Sequence, residues 1–331
     1  MKKVAISILA LGLTSTAAMA QSSVTVYGVA DVGLNLSRGT GAGNLSSISS
    51  GIASGSRLGF KGKEDLGNGL VANFALESGI SMDSGASGQG GLTFGRQSWV
   101  GLSGAFGAVA VGRQYSPYYK ALRDVADPFC DGLAGTAANL FVGNTRVDNM
   151  AGYTSPVVGG FSADLAYGFG ETAGDSAKNR TMGASGTYAN GPLTVILAHH
   201  QKENALANAH TRNTMLLARY KFDILTAHVA HAQNRDIAGN ASKDSLIGLT
   251  LPVGAAGRFI ASAVLHNDSS AQDRDARQFG VGYVYSLSKR SDVYTAYSHI
   301  NNRNGATFKV GNATESGTGT TGINLGLRHV F

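Results

Sequence analysis

The feature that most constrains this chain is an alternation of apolar and polar side chains, repeated in segments of about ten residues. In the first segment Val24, Val26 and Val32 share one face, whereas Thr25 and Asp31 share the other. Successive side chains of a β-strand point to opposite faces, and the alternation therefore indicates strands with one apolar and one polar face. The chain is predicted to be all-β.

Two kinds of connection alternate between these segments. Short ones, such as residues 64–69 and 190–192, contain the Gly and Asn residues that tight hairpins favour. Long ones, such as 37–51 and 301–317, are rich in Gly, Ser, Asn and Asp. Short turns at one end and long loops at the other are typical of a transmembrane β-barrel. Counting the segments predicts sixteen antiparallel strands, a size that leaves an aqueous channel inside the barrel.

The N-terminus has the pattern of a secretory signal peptide. Two lysines precede the apolar run 4–13, and Ala18-Met19-Ala20 is a small-x-small cleavage signal. We therefore expect residues 1–20 to be removed after Ala20, which leaves one barrel domain at 21–331. No later stretch approaches the roughly 18 apolar residues of a spanning helix. An exported chain of this kind is either soluble or a barrel.

Composition agrees with a barrel and excludes other classes. The chain has 46 glycines, a mean hydropathy of −0.01 and a single cysteine, Cys130, which precludes an internal disulfide. Without the signal peptide, 25 basic and 21 acidic residues remain, a net charge of +4. That charge is too small and too dispersed for a nucleic-acid-binding protein. No metal-binding spacing such as HExxH occurs, and no metal or other cofactor is predicted.

One connection, at about residues 115–146, is much longer than the rest. Connections above about 15 residues are usually functional in compact architectures. Its aromatic residues would anchor it on the barrel wall if it folds into the lumen. Three acids in this segment would then face the opposite wall: Asp124, Asp127 and Asp131.

Basic residues recur along the early strands. Arg57, Arg96 and Arg113 lie on successive segments, and Arg146 closes the long connection. Glu77 falls on the inward-facing positions of the alternation in its strand. A charge on the lipid face costs roughly 2–4 kcal/mol at the bilayer midplane, and these residues are therefore predicted to line the lumen. We predict a constriction in which a cationic wall faces an acidic loop and favours anions. The alternative is that the arginines only bridge carboxylates and make the barrel rigid.

Short motifs are spread along the whole mature chain. In order they are SVTVYG at 23–28, SRLGFKG at 56–62, EDLG at 64–67, FGRQ at 94–97, VGRQ at 111–114, DPF at 127–129, RVDN at 146–149, LSKRS at 287–291 and GLRHVF at 326–331. Together they resemble the general porins of Gram-negative bacteria, in their β-proteobacterial branch.

The resemblance implies a sixteen-stranded homotrimer in the outer membrane. Each subunit would hold a water-filled pore, narrowed by an inward-folded third external loop, through which small hydrophilic solutes and ions diffuse. Arg57, Arg96, Glu77 and the loop acids would line that pore, whereas Cys130 is not part of the expected loop pattern. A last strand ending in Phe331 resembles the signal that the outer-membrane assembly machinery reads, although an aromatic-girdle role is also open. Expected partners are that machinery, outer-membrane lipid and lipopolysaccharide, and small polar or anionic solutes.

Other functions remain open from the residues alone. The chain could be a substrate-specific channel for a small anionic nutrient, or an adhesin or receptor that uses its external loops. An outer-membrane hydrolase is a further alternative, but no GxSxG elbow occurs in a strand–turn–helix context, and we predict that the protein is not an enzyme. Loop carboxylates such as Glu203, Asp273 and Asp275 are either Ca²⁺ ligands or simply solvated charges.

Overall fold

Seventeen β-strands within residues 22–39 and 43–331 form one antiparallel sheet that closes on itself. These are the residues that a computed structural model describes, and the predicted signal peptide at 1–20 lies outside them. The strands are β1 Ser23–Arg38, β2 Leu45–Ser50, β3 Arg57–Gly67, β4 Leu70–Gly79, β5 Gln97–Gly104, β6 Gly107–Tyr115, β7 Arg146–Thr154, β8 Phe161–Gly168, β9 Thr181–Asn190, β10 Leu193–Glu203, β11 His210–Lys221, β12 Thr226–Arg235, β13 Ala241–Val253, β14 Gly257–Asp268, β15 Ala276–Ser286, β16 Ser291–Asn302 and β17 Thr321–Val330.

The wall of the barrel has sixteen strands because β2 and β3 are two parts of a single wall strand. Both pair with β1, β2 along its second half and β3 along its first. The ring closes where β1 pairs with β17, and the backbones of Gly28 and Phe331 exchange hydrogen bonds of 3.0 and 3.1 Å. A closed ring satisfies every spanning backbone group, as a membrane interior requires. The predicted sixteen-stranded antiparallel barrel is confirmed.

Alternation along the strands separates an outer apolar face from an inner face. On β5, Val100 and Leu102 are exposed on the outer face, whereas Trp99, Gly101 and Ser103 follow the inner phase. Aromatic pairs flank the apolar belt near the short turns, with ring centroids 4.5–4.7 Å apart. Such an aromatic girdle marks the membrane–water boundary. The pairs are Phe161–Tyr188, Tyr220–Phe222 and Phe259–Tyr283.

Two boundaries differ from those expected from sequence. Residues 45–50 were predicted as loop, which is wrong, since they form β2. Their serine-rich composition favours a loop locally, but the exposed ladder of β1 gives their backbone hydrogen-bonding partners. The predicted turn at 64–69 is also shorter than expected, because β3 continues to Gly67 and only Asn68 and Gly69 lie between the strands. Gly67, Asn68 and Gly69 all adopt a positive φ, 86°, 52° and 75°.

The wall strand is interrupted at residues 51–56, which we call the inward kink. Asp31, fully buried on β1, stabilises it. Asp31 Oδ2 accepts hydrogen bonds from the backbone N–H groups of Ala53 (3.0 Å) and Ser54 (2.8 Å). Its Oδ1 accepts one from the Tyr294 hydroxyl at 2.5 Å. One carboxylate therefore binds two N–H groups of the kink and is itself held by Tyr294 of β16.

Residues 116–145, between β6 and β7, form the long connection, which we call the constriction loop. It begins with the helix α1 (Pro117–Ala121), whose N-cap residue Ser116 accepts a hydrogen bond from the Tyr119 N–H at 3.0 Å. A π-helical turn follows at Leu122–Ala126, and a 3₁₀ turn lies at Ala137–Asn139. None of the helices in the described ranges is long and apolar enough to cross a membrane.

The constriction loop packs on inner-face side chains of the later strands. Gln278 Nε2 and Ser262 Oγ donate to the Gly135 carbonyl at 3.0 and 3.2 Å, and the Leu133 N–H donates to the Ile52 carbonyl of the inward kink at 2.7 Å. Because these partners lie on the face opposite the apolar belt, the loop lies inside the barrel. Its apolar side chains join one buried cluster with the wall, which includes Tyr118, Leu122, Phe129, Met215, Leu217, Ala230, Leu246, Ile260 and Val264.

We predict that Asp31→Ala destabilises the barrel and loosens the kink. Each donor left unsatisfied in a buried site costs about 1–3 kcal/mol, and this substitution leaves three. The expected result is a lower temperature for the heat-induced shift in gel mobility, together with a noisier single-channel current. Tyr294→Phe is the matched control because it removes only one donor, and its effect should be clearly smaller. An unchanged transition temperature for Asp31→Ala would contradict the role of Asp31.

Candidate functional site: an arginine-lined constriction

A polar cavity of about 630 Å³ lies between the early wall strands and the constriction loop. Arg57 of β3, Arg96 immediately before β5 and Arg146 at the start of β7 line it from the wall. The loop contributes Arg123, together with carboxylates. We call this space the arginine cavity. It brings together five of the residues predicted from sequence: Arg57, Arg96, Arg146, Asp124 and Asp131.

Glu77 lies behind the arginines rather than in the cavity. Its side chain is almost completely buried, and its Oε1 accepts a hydrogen bond from Arg96 Nε at 2.8 Å. The Tyr27 hydroxyl donates to Oε2 at 3.0 Å, and Arg57 Nη1 lies 3.9 Å from the same oxygen. Arg57 also donates to Ser54 Oγ on the inward kink at 2.6 Å. Glu77 therefore orients the two wall arginines without itself facing the lumen.

Tyr115 is the centre of the cationic cluster. Its hydroxyl accepts hydrogen bonds from Arg96 Nη2 at 2.8 Å and from Arg146 Nη2 at 3.2 Å. The guanidinium carbons of Arg146 and Arg123 each lie 4.8 Å from the centroid of its ring, within the range of a cation–π interaction. The ring of Tyr119 stacks on that of Tyr115, with the ring centroids 5.2 Å apart. One aromatic ring thus holds three like charges close together.

Sequence reasoning missed Arg123 and Tyr115. Arg123 is followed directly by Asp124, and such a pair resembles a self-neutralised surface ion pair. The structure contains that pair, with Nε–Oδ1 and Nη2–Oδ2 distances of 2.6 and 2.9 Å, yet Arg123 still covers Tyr115. Tyr115 lies at the end of a strand, and nothing in the local sequence indicates that its ring will contact arginines from three separate segments.

The charges around the cavity do not cancel. Four guanidinium groups lie near three carboxylates, those of Glu77, Asp124 and Asp131. Asp131 accepts a hydrogen bond from the Tyr119 hydroxyl at 2.5 Å, and burial raises the pKa of Tyr119, which therefore stays protonated. Within residues 22–39 and 43–331, Arg146 has no carboxylate within ion-pair distance. The cavity therefore has an excess of positive charge.

Asp127 does not line the cavity, contrary to the prediction. It is buried in the constriction loop, where its Oδ2 accepts hydrogen bonds from Asp131 N (3.0 Å), Thr136 Oγ1 (3.1 Å) and Ala137 N (3.1 Å). Its Oδ1 accepts from Phe129 N at 3.0 Å. Complete burial raises the pKa of Asp127 to about 6, although these donors oppose the shift. Asp127 shapes the loop and makes no contact with the lumen.

Arg113 also lies outside the arginine cavity, and its predicted place in the constriction is wrong. It shares the outward phase of Val111, and the strand register shifts between Gly112 and Gln114. Arg113 Nε donates to the Gly95 carbonyl at 2.7 Å, and its guanidinium pairs with the exposed Asp148. Simple alternation along β6 already gives Arg113 the phase of Val111, and the prediction relied instead on the recurrence of arginines on successive segments.

The loop carboxylates do not gather into a metal site. In the described part of the chain, no group of three His, Cys, Asp or Glu residues is placed to hold a metal ion. Glu203 instead lies beside two basic side chains, with its Oε1 3.6 Å from Arg180 Nη2 and its Oε2 3.7 Å from His210 Nδ1. Asp275 accepts a hydrogen bond from the Asp268 N–H at 3.0 Å.

Known proteins share both the sequence and the barrel. A family model described as Gram-negative porin matches residues 5–305. The chain belongs to the Gram-negative porin family. This porin is 34% identical to outer membrane porin protein 32 of Delftia acidovorans, over 100% of both chains. Its structure is similar to that of an anion-selective porin from Comamonas acidovorans, with a TM-score of 0.81, 30% identity and coverage of 94% of this chain and 100% of that one. It shares its fold with the trimer form of OmpT from Vibrio cholerae, with a TM-score of 0.70 and 16% identity over 94% and 99% of the two chains.

Family and fold establish the general function. The porin resides in the outer membrane of a Gram-negative bacterium and forms a water-filled diffusion channel for small hydrophilic solutes and ions. Porins are passive channels, and the prediction that the chain is not an enzyme is confirmed. The predictions of family and of location are confirmed as well.

We predict that Asp127→Asn disorders the constriction loop but spares the barrel. An amide offers one oxygen where the carboxylate offers two, and at least one buried donor is left unsatisfied at a cost of about 1–3 kcal/mol. Single-channel recordings well above pH 6, where Asp127 is ionised, should show larger current fluctuations. The temperature of the heat-induced mobility shift should stay within a few degrees of wild type. A quiet channel of unchanged conductance would show that Asp127 does not hold the loop.

Proposed function

We propose that this porin prefers anions and that the arginine cavity is its selectivity filter. The observation that carries the proposal is the excess of guanidinium groups, above all Arg146. Among the described residues, its N–H groups contact only a backbone carbonyl and the Tyr115 hydroxyl. Arg57, Arg96 and Arg123 add donors from both sides of the cavity. The similarity to a solved porin described as anion-selective supports the same conclusion.

The magnitude of the interaction fits a channel rather than a tight binding site. Two unit charges about 4 Å apart interact by roughly 4 kcal/mol at an effective dielectric constant of 20. One excess positive charge therefore attracts anions and repels cations without trapping either. Because Asp124 and Asp131 line the cavity opposite the wall arginines, a transverse field also orients dipolar solutes. Conduction needs such weak interactions, since a tightly held ion would block the pore.

We further propose that the mature protein, residues 21–331, assembles as a homotrimer with one pore in each subunit. A related fold described in a trimer form supports this. The outward side chains of the early strands are mostly small and aliphatic, for example Val24, Val26 and Val100, and such a surface suits close subunit contact. Phe331 directly follows β17, the strand that closes the barrel, and this position at the end of the closing strand supports its recognition by the assembly machinery.

Lipopolysaccharide is the lipid partner that we propose for the outer leaflet. Four basic residues between β11 and β15 lie near the long-loop ends of their strands and share the outward phase of exposed apolar residues: Arg212, Arg235, Lys243 and Arg277. Arg212 and Arg235 are direct cross-strand partners, and two like charges placed side by side favour an anionic partner. Phosphate groups accept bidentate hydrogen bonds from arginine.

We predict that Arg57→Ser and Arg96→Ser each lower the anion preference of the channel. Removing one cation from a cavity with an excess of about one charge should move the reversal potential across a salt gradient towards zero or change its sign. Arg113→Ser is the matched control, since Arg113 lies outside the cavity, and it should leave the reversal potential unchanged. Wild-type potentials in both cavity variants would refute the proposed filter.

The native thiol of Cys130 provides a second test, without an arginine substitution. Cys130 is the only cysteine of the chain, it is exposed, and it lines the arginine cavity. Anionic sulfonatoethyl methanethiosulfonate should reduce the current faster than its cationic trimethylammonioethyl analogue. After division by the rates with a free small thiol, we expect roughly a tenfold preference for the anionic reagent. A preference for the cationic reagent would contradict an anion-attracting cavity, and Cys130→Ser should abolish both reactions.

A further inference from the structure

A second cavity, of about 320 Å³, lies beside the arginine cavity. It lies between the helix α1 of the constriction loop and the inner face of strands β5 to β8. Tyr115 and Lys120 line both cavities, which shows that the two spaces adjoin. A solute that leaves the arginines therefore reaches this second space next.

The strand register gives the position of the second cavity along the pore. Gln97, which lines the arginine cavity, pairs with Glu77, and Trp99 pairs with Ala75 two residues further along β5. At about 3.4 Å per residue, Trp99 lies roughly 7 Å from the level of Gln97. The direction is towards the short turn between β5 and β6, which is the periplasmic end in barrels of this kind.

One part of the wall of this cavity carries almost no side-chain bulk. Inward positions of β5, β6 and β7 carry Gly101, Ala108, Ala110 and Gly152, which project little or no side chain. Trp99 borders this surface, and its indole Nε1 donates to Gln97 Oε1 at 3.2 Å. That hydrogen bond orients the indole ring. A flat ring or a short apolar group fits against such a surface.

A cation lies on the other side of the same cavity. The Lys120 ammonium pairs with Asp164 at 2.9 Å and keeps about 38% of its side-chain surface exposed. An ammonium group has three N–H donors, and Asp164 uses one of them. Lys120 therefore retains donors for an anion that arrives from the arginines. One aromatic plane and one cation thus lie within a space that holds a single small molecule.

We propose that the second cavity is a transit site for aromatic monocarboxylates, which pack their ring against Trp99 and pair their carboxylate with Lys120. The proposal rests on the diffusion function established above and names a class of solute that the channel passes preferentially. Aliphatic anions such as acetate can pair only with the Lys120 ammonium. Neutral aromatic molecules can pack only against the Trp99 ring, whereas the preferred solute does both.

Trp99 is the only tryptophan of the chain, and its fluorescence reports on this site directly. Purified wild-type porin in detergent is titrated with benzoate, with acetate and with benzyl alcohol, against free N-acetyltryptophanamide as the reference for collisional quenching and absorption. We expect a saturable change with benzoate, none with acetate, and a response to benzyl alcohol weaker by about fivefold or more. A benzoate response that is absent, or that matches the linear response of the free indole, overturns the proposal.

Single-channel recording tests the role of the ring in transit. Benzoate added to a chloride solution should interrupt the wild-type current. Trp99→Leu should lose the interruptions, whereas Trp99→Phe, which keeps a ring, should retain them. Equal interruption in wild type and Trp99→Leu overturns the site.

The reversal potential of the same channels separates the two proposals. An anion-selective channel without a saturable tryptophan response refutes only the transit site, and a saturable response in a cation-selective channel refutes only the anion filter.

Discussion

Apolar packing between the constriction loop and the later wall strands determines where every charged group of the pore lies. Tyr118, Leu122 and Phe129 of the loop are buried in one cluster with Met215 and Leu217 of the wall. Burying a large apolar side chain contributes about 1.5–3 kcal/mol. The apolar side of the loop thereby covers inner-face residues of the later strands, and its polar side faces the arginine cavity, which Arg57, Arg96 and Arg146 line. The pore is the space that remains.

Buried carboxylates serve mainly to hold backbone in place. Asp31 stabilises the inward kink and Asp127 stabilises the constriction loop, each by accepting several hydrogen bonds. Glu77 is shared between two arginines and a tyrosine. Because these acids are turned away from the lumen, the positive groups dominate the field that a solute experiences. A count of acids and bases in the sequence would have suggested a more nearly neutral constriction.

The pore surface changes in character along its axis. Guanidinium groups held by Tyr115 come first, and a tryptophan beside small residues lies roughly 7 Å further on. Charge selects the sign of the solute at the first level, and shape and apolar contact act at the second. Because the two levels adjoin, an anion with an apolar body contacts both during one passage.

The sequence by itself determined the barrel, since strict alternation with short turns and long loops is compatible with few other folds. It also predicted that Arg57, Arg96 and Arg146 face the lumen, because a charge in the lipid-facing belt is costly, and the structure brings these three side chains to one cavity. Only the tertiary structure decided the rest. The burial of Asp127 depends on four donors within its loop, and the roles of Arg123 and Tyr115 depend on contacts between separate segments. Local sequence patterns indicate which face of a strand a residue prefers. Contacts across the lumen form only once the constriction loop has packed against the wall.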